Sequence, residues 1–279
     1  MKAYSLFTLF LLQMLFINQA SASLLISPNR VVLEDRQRSA SVIIINNGED
    51  TASYRIETIN YRQTEKGKYK KVDPKNESIS GLFLASDMIR FSPRQVSLKP
   101  GQRQTVRLSL RKPANLADGE YRVHLGFTRL PSPEMLKANQ AGESLKVYML
   151  TSFTIPVQIL NGQTSFSSKI TQAQLIPVLP SSEEKKKQWQ IQVDIEREGN
   201  SASVGILKVY WKPNKDTQYK KIRTLDNATI YREIHNRRFN LLLPEGTAKP
   251  GIYKITYETS KPFALKLLDE KVLTHPTLP

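Results

Sequence analysis

FSPRQVSLKPGQRQTVRLSL, residues 91–110, sets apolar side chains at every second position around a Lys-Pro-Gly. Period two is the signature of a β-strand with one buried face. Val106, Leu108 and Leu110 are expected in a core, with Arg107 and Arg111 on the opposite face. Pro100 presets φ for a turn, and Gly101 supplies a position free to take positive φ. On these grounds the stretch reads as a sandwich hairpin: a strand, a Pro-Gly turn and a second strand.

The same period continues in both directions. Residues 24–34, 39–46, 52–61, 88–92, 104–112, 120–130 and 145–160 read as strands. Asn47-Gly48, Lys66-Gly67, Pro100-Gly101 and Asp118-Gly119 mark turns among them. A second set covers 165–178, 188–196, 203–211, 229–233, 238–244, 251–258 and 263–269. No long amphipathic helix is apparent, and 135–143 is read as one turn or a loop. Short strands at this spacing imply antiparallel sandwiches of Ig-like architecture, each needing roughly 100 residues. The chain has 279 residues, so two such domains are expected, 23–161 and 162–279, divided at Asn161-Gly162.

Residues 1–22 read as a removable signal peptide. Lys2 gives the positive start, 6–17 is a largely apolar run with a single Gln, Gln13, and Ala20-Ser21-Ala22 is an A-x-A site. The run is too short to span a bilayer comfortably. Cleavage after Ala22 and export to the periplasm are expected, with no stable membrane insertion.

Composition narrows the function. There is no cysteine, so disulfide and thiolate chemistry are excluded. His124, His235 and His275 have no metal-ligand spacing. No nucleophile elbow and no Gly-rich phosphate loop occurs. Catalytic, metal and cofactor sites are therefore not expected, and the protein is read as a non-enzyme. Lys and Arg number 41 against 25 Asp and Glu, a net charge of +16. The surplus is spread evenly over both halves, which argues against a nucleic-acid partner. The runs at 66–71 and 183–187 fall between expected strands and read as solvated loop tips.

The pattern P-x-x-V-x-L-x-P-G-x-x-Q-x-V-R-L, followed by DGEYRVHLGFTRLP (118–131), resembles the N-terminal domain of the periplasmic pilus chaperones, the PapD-like family. NRVVLEDRQRSASVIIINN (29–47) is similar to that family's first hairpin. The resemblance covers about 24–160 and is vaguer beyond. It implies two Ig-like domains around a cleft and a mechanism of strand donation. A pilus subunit lacks its last strand, and the chaperone lends its own seventh strand to close the open edge. It also implies a subunit partner and an outer-membrane usher. By parity Leu145, Val147 and Met149 are the donated side chains, although an ordinary core strand alternates in the same way. Phe153, Ile155, Val157 and Ile159 are expected in the chaperone's own core. The family anchors the subunit's C-terminal carboxylate with an Arg, matched here by Arg30, and a Lys. The Lys position falls on Thr154, a departure; Lys146 and Arg122 are candidates to replace the charge. The alternative is a PapD-like structural or adhesive envelope protein that binds a folded partner without a chaperone cycle.

Overall fold

The computed structural model describes residues 23–34, 36–75, 81–132, 150–178, 188–260 and 265–275. These residues are all-β, in several largely antiparallel sheets. The expected signal peptide, the segment 135–143 and the first part of the expected strand 145–160 lie outside them.

The first stack has two sheets. One orders β1 (Leu24–Ser27), β3 (Ser39–Asn46), β9 (Arg103–Leu110) and β7 (Ile89–Ser92) as β1-β3-β9-β7. The other orders β2 (Val31–Leu33), β11 (Ser152–Asn161), β10 (Gly119–Arg129), β4 (Ala52–Ile59) and β8 (Gln95–Leu98) as β2-β11-β10-β4-β8. Their facing side chains form one core. Val106, Leu108 and Leu110 are buried there, as are Ile155, Val157 and Ile159, with Phe153 partly buried against them. Arg107 and Arg111 are exposed. Each fully buried aliphatic chain contributes roughly 1.5–3 kcal/mol, so the alternation anticipated from the sequence is what holds the sheets together.

The opening stretch is not a hairpin. β9 pairs with β7 and β3, whereas β8 pairs with β4 in the opposite sheet. The Lys-Pro-Gly turn is an arch between sheets. Gln102 N donates to Lys99 O, Gly101 takes φ 71°, and Gly101 N donates to Asn46 O. Val96 and Leu98 therefore face β9 across the core instead of lying beside it. The expected strand 24–34 likewise divides. β1 joins β3 antiparallel, and after Pro28 the chain crosses to place β2 parallel to β11. Proline offers no N–H to a ladder, which suits it to such crossings.

The second stack has its own core. One sheet orders β12 (Phe166–Val178), β13 (Gln188–Gly199) and β16 (Asn236–Leu242) as β12-β13-β16. The other orders β15 (Lys220–Ile230), β14 (Ser203–Lys212), β17 (Gly251–Thr259) and β18 (Leu267–His275) as β15-β14-β17-β18. Two expected strands move: 229–233 is the end of β15 followed by a turn, and of 263–269 the first two residues lie outside the described residues while the rest leads into β18. Both β15 and β18 are edge strands rich in charge, and such edges resist pairing with other chains.

A short ribbon of β5 (Tyr61–Gln63) and β6 (Tyr69–Lys71) leaves the first stack and meets the second. The basic run at 66–71 is thus half turn and half strand, where a solvated loop tip was expected.

Candidate functional site

The two stacks meet along one face of β10 and β11. On β10, Val123, Leu125 and Phe127 point into the first core, so Glu120, Arg122 and His124 point the other way. All three are buried, at 3%, 7% and 5% exposure. An isolated sandwich would leave that face in water; here the second stack covers it. Register places Gln158 beside Arg122, Pro156 beside His124 and Thr154 beside Gly126.

Glu120 and Arg122 find partners across the junction, which is what makes their burial tolerable. Arg122 Nη2 lies 2.6 Å from Glu233 Oε1, donates to Tyr61 O and stacks over the Tyr231 ring. Glu120 accepts from Gln158 Nε2 at 2.8 Å and from Ala202 N at 2.7 Å. Burial pushes the Glu120 carboxyl up, and those hydrogen bonds and the Arg122 and Arg30 charges offset it in part. Gln63 reaches from the ribbon: its Nε2 donates to Thr229 O, its Oε1 accepts from Tyr231 N, and its backbone N donates to Glu233. Behind this layer the buried Arg197 has four carbonyl partners, on Gly199, Ser201, Arg232 and Ile234. That guanidinium shapes the two turns that present Ala202 and Glu233 to the first stack.

Beside the junction a cleft of about 480 Å3 opens, lined by Arg30, Tyr61, Tyr69, His124, Thr154, Thr229 and Tyr231, among others. Arg30 sits where β2 enters the sheet. Its Nη1 donates to Gln158 Oε1 at 2.5 Å and its Nη2 to Thr229 Oγ1 at 3.0 Å. One guanidinium therefore touches both stacks, with Gln158 relaying it to the buried Glu120. Asn227, with φ 56°, also lines the cleft; asparagine is among the few residues that accept this conformation.

The strand leading into the cleft has a free edge. β2 accompanies β11 only over Val157–Ile159. From Ser152 to Pro156, β11 pairs with β10 on one side and has no strand neighbour on the other among the described residues. Such a row of unpaired backbone groups is a template for an added strand.

The structure brings Arg30 and Thr154 to one cleft, with Thr154 exposed. Leu145, Val147, Met149 and Lys146 lie outside the described residues. Arg122 does not supply the missing charge, because it is buried and committed to Glu233. Sequence reading missed Glu120, His124, Gln158, Gln63 and Glu233. The available signal was the run Glu120-x-Arg122-x-His124, a polar face with an unusual mixture of charges on an otherwise apolar strand. Among the described residues there is no group of three or more His, Asp or Glu placed to hold a metal, and no helix long and apolar enough to cross a membrane.

No family model matches the chain, and no curated protein matches it. Many solved pilus chaperones match it across its length at low identity. A chain from the CsuC-CsuE chaperone-tip adhesion subunit pre-assembly complex, from archaic chaperone-usher Csu pili of Acinetobacter baumannii, is 17% identical with a TM-score of 0.43, covering 88% of this chain and 97% of that one. The Pseudomonas aeruginosa CupB2 chaperone is 11% identical with a TM-score of 0.45, covering 90% and 99%. A chain from the Salmonella enterica complex of SafA pilin with the SafB chaperone is 9% identical with a TM-score of 0.41, covering 92% and 98%.

Proposed function

We propose that the protein is a periplasmic chaperone for surface-fibre subunits. It caps an incomplete subunit by lending the strand 145–160 and passes it to an outer-membrane usher. The observation that carries this reading is the open edge of Ser152–Pro156 running into a cleft where Arg30 is held by Gln158 and Thr229. A strand added to that edge would bring its end to a guanidinium already oriented, and a guanidinium suits a carboxylate bidentately. Leu145, Val147 and Met149 supply the donated side chains, and Thr154 replaces the family's Lys, so the anchor carries one charge from Arg30 and hydrogen bonds from neutral neighbours. Residues 1–22 direct export and are removed after Ala22. The chain folds as two domains, 23–161 and 162–279.

The test is co-expression with fibre subunits encoded beside its gene. The wild type should raise the amount of soluble subunit in the periplasm, and Arg30→Ala should lose most of that gain while Lys66→Ala keeps it. Equal behaviour of the two variants would remove the anchor. Val147→Asp with Met149→Asp should abolish capture in a folded chaperone; undiminished capture would remove the strand assignment.

A further inference from the structure

The cleft around Arg30 is walled by rings from three separate segments. Tyr61 and Tyr69 come from the ribbon, His124 from β10, and Tyr231 from the turn after β15. Their centroids lie 5.0 Å apart for Tyr61 and His124, 5.9 Å for Tyr69 and His124, 6.1 Å for Tyr61 and Tyr69, and 6.2 Å for Tyr69 and Tyr231, all edge to face. Such a cluster presents both ring edges and ring faces, and it accepts a further aromatic group in the same geometry.

His124 adds an independent observation. It is 5% exposed, and its Nδ1 is buried with no hydrogen-bond partner among the described residues. A buried ring nitrogen left unsatisfied is costly, and the few that persist in a fold call for a reason. Burial, then the charges of Arg122 and Arg30, holds this imidazole down at about 3, so it is neutral in the periplasm. A neutral ring offers one directed N–H and one lone pair, where a lysine would offer a charge.

We propose that the cleft reads the last residue of the bound chain: the Tyr61, Tyr69 and Tyr231 rings receive an aromatic C-terminal side chain while His124 completes, with Arg30, the hydrogen bonds to its carboxylate. This rests on the proposed function, since it takes a chain terminus to be what enters the cleft. Thr154 and Pro156 share the His124 face of the sheet, so the three line the path along which that terminus arrives. Selection thus passes from a second positive charge to the shape and chemistry of one side chain. The preferred subunits are those ending in Phe, Tyr or Trp.

The test uses the full exported protein and three small probes, N-acetylphenylalanine, N-acetylalanine and N-acetylphenylalaninamide, with affinities read by NMR titration. N-acetylphenylalanine should bind about 10-fold more tightly than either of the others, the first ratio measuring the rings and the second the carboxylate. Tyr69 is 46% exposed, so Tyr69→Ala removes a ring without opening a core; it should bring the Phe/Ala ratio near one and leave the acid/amide ratio. His124→Phe keeps the ring contacts and loses the nitrogens; it should lower the acid/amide ratio and leave the Phe/Ala ratio. Equal binding of the two acids, with the amide weaker, overturns the aromatic selection and spares the Arg30 anchor. Equal binding of acid and amide overturns the carboxylate role of His124 and counts against the anchor as well. Absence of any binding up to about 10 mM, a weak limit for ligands this small, overturns the selection outright, while subunit capture by Arg30→Ala still decides the anchor.

Discussion

The two halves of β11 have different neighbours. From Val157 to Ile159 the strand lies between β2 and β10, and its apolar side chains are sealed in the first core. From Ser152 to Pro156 it keeps only β10 among the described residues, and Thr154 is exposed at the cleft. One strand thus divides its labour by position. The half with two neighbours fixes the fold, and the half with one offers an edge. Arg30 stands at the boundary, because β2 begins its run beside β11 there.

The largest contrast should come from placing one charge on each half. Val157 is 0% exposed, so Val157→Asp buries an unpaired carboxylate and should cost more than about 4 kcal/mol, seen as loss of the cooperative denaturant transition. The same change three residues earlier, Thr154→Asp, is the small-effect partner described below. A Val157→Asp protein with near wild-type stability would mean that the sealed half is not structural.

Next in size is the acid response of the junction. The unfolded chain binds a proton at His124 near pH 6.5 and the folded chain near 3. Between those values the unfolded state holds more protons, so stability falls as pH falls, by up to about 5 kcal/mol at the acid limit. Glu120 works in the opposite sense. Its raised carboxyl keeps a proton to higher pH in the folded state, so its contribution is full below the ordinary carboxylate range and is lost as pH rises through the folded value. His124→Phe should therefore flatten the loss between pH 6.5 and 3, measured by urea unfolding across that range. An unchanged acid limb would place His124 in a more solvated setting.

Glu233→Ala should cost about 3 kcal/mol, because it leaves the buried Arg122 guanidinium without its carboxylate. Tyr61 O and the Tyr231 ring remain, which keeps the loss at the lower end. It should also loosen the cleft, since Arg30 touches Thr229 on the same side of the junction. Smallest in stability is Thr154→Asp, within about 0.5 kcal/mol of wild type for an exposed site. Its effect should appear in binding alone, as repulsion of the subunit carboxylate, and Thr154→Lys should strengthen the same contact.

Much of the fold was legible in period two. Val106, Leu108, Leu110, Ile155, Val157 and Ile159 were assigned to the core from alternation and are buried there. Which sheet a strand joins was not legible. Alternation tells the buried face and is silent on the neighbour, so the Lys-Pro-Gly arch read as a hairpin and the crossing at Pro28–Arg30 read as one strand. β15 escaped because its first half, beginning at Lys220, is exposed and charged, as an edge strand commonly is. Of the cleft, Arg30 and Thr154 were reached through the family resemblance. His124, Glu120 and Gln158 were not, because their burial comes from the second stack, and polar alternation on β10 looks like a solvated face until that stack is in place.

Amide hydrogen exchange across β11, in the free protein and in a complex with a co-expressed subunit, bears most directly on strand donation. The free protein should exchange slowly over Val157–Ile159 and faster over Ser152–Thr154. In the complex Ser152–Thr154 should gain protection, and Arg30→Ala should reduce that gain. A stable complex in which Ser152–Thr154 exchange as fast as in the free protein would contradict the lending of this edge.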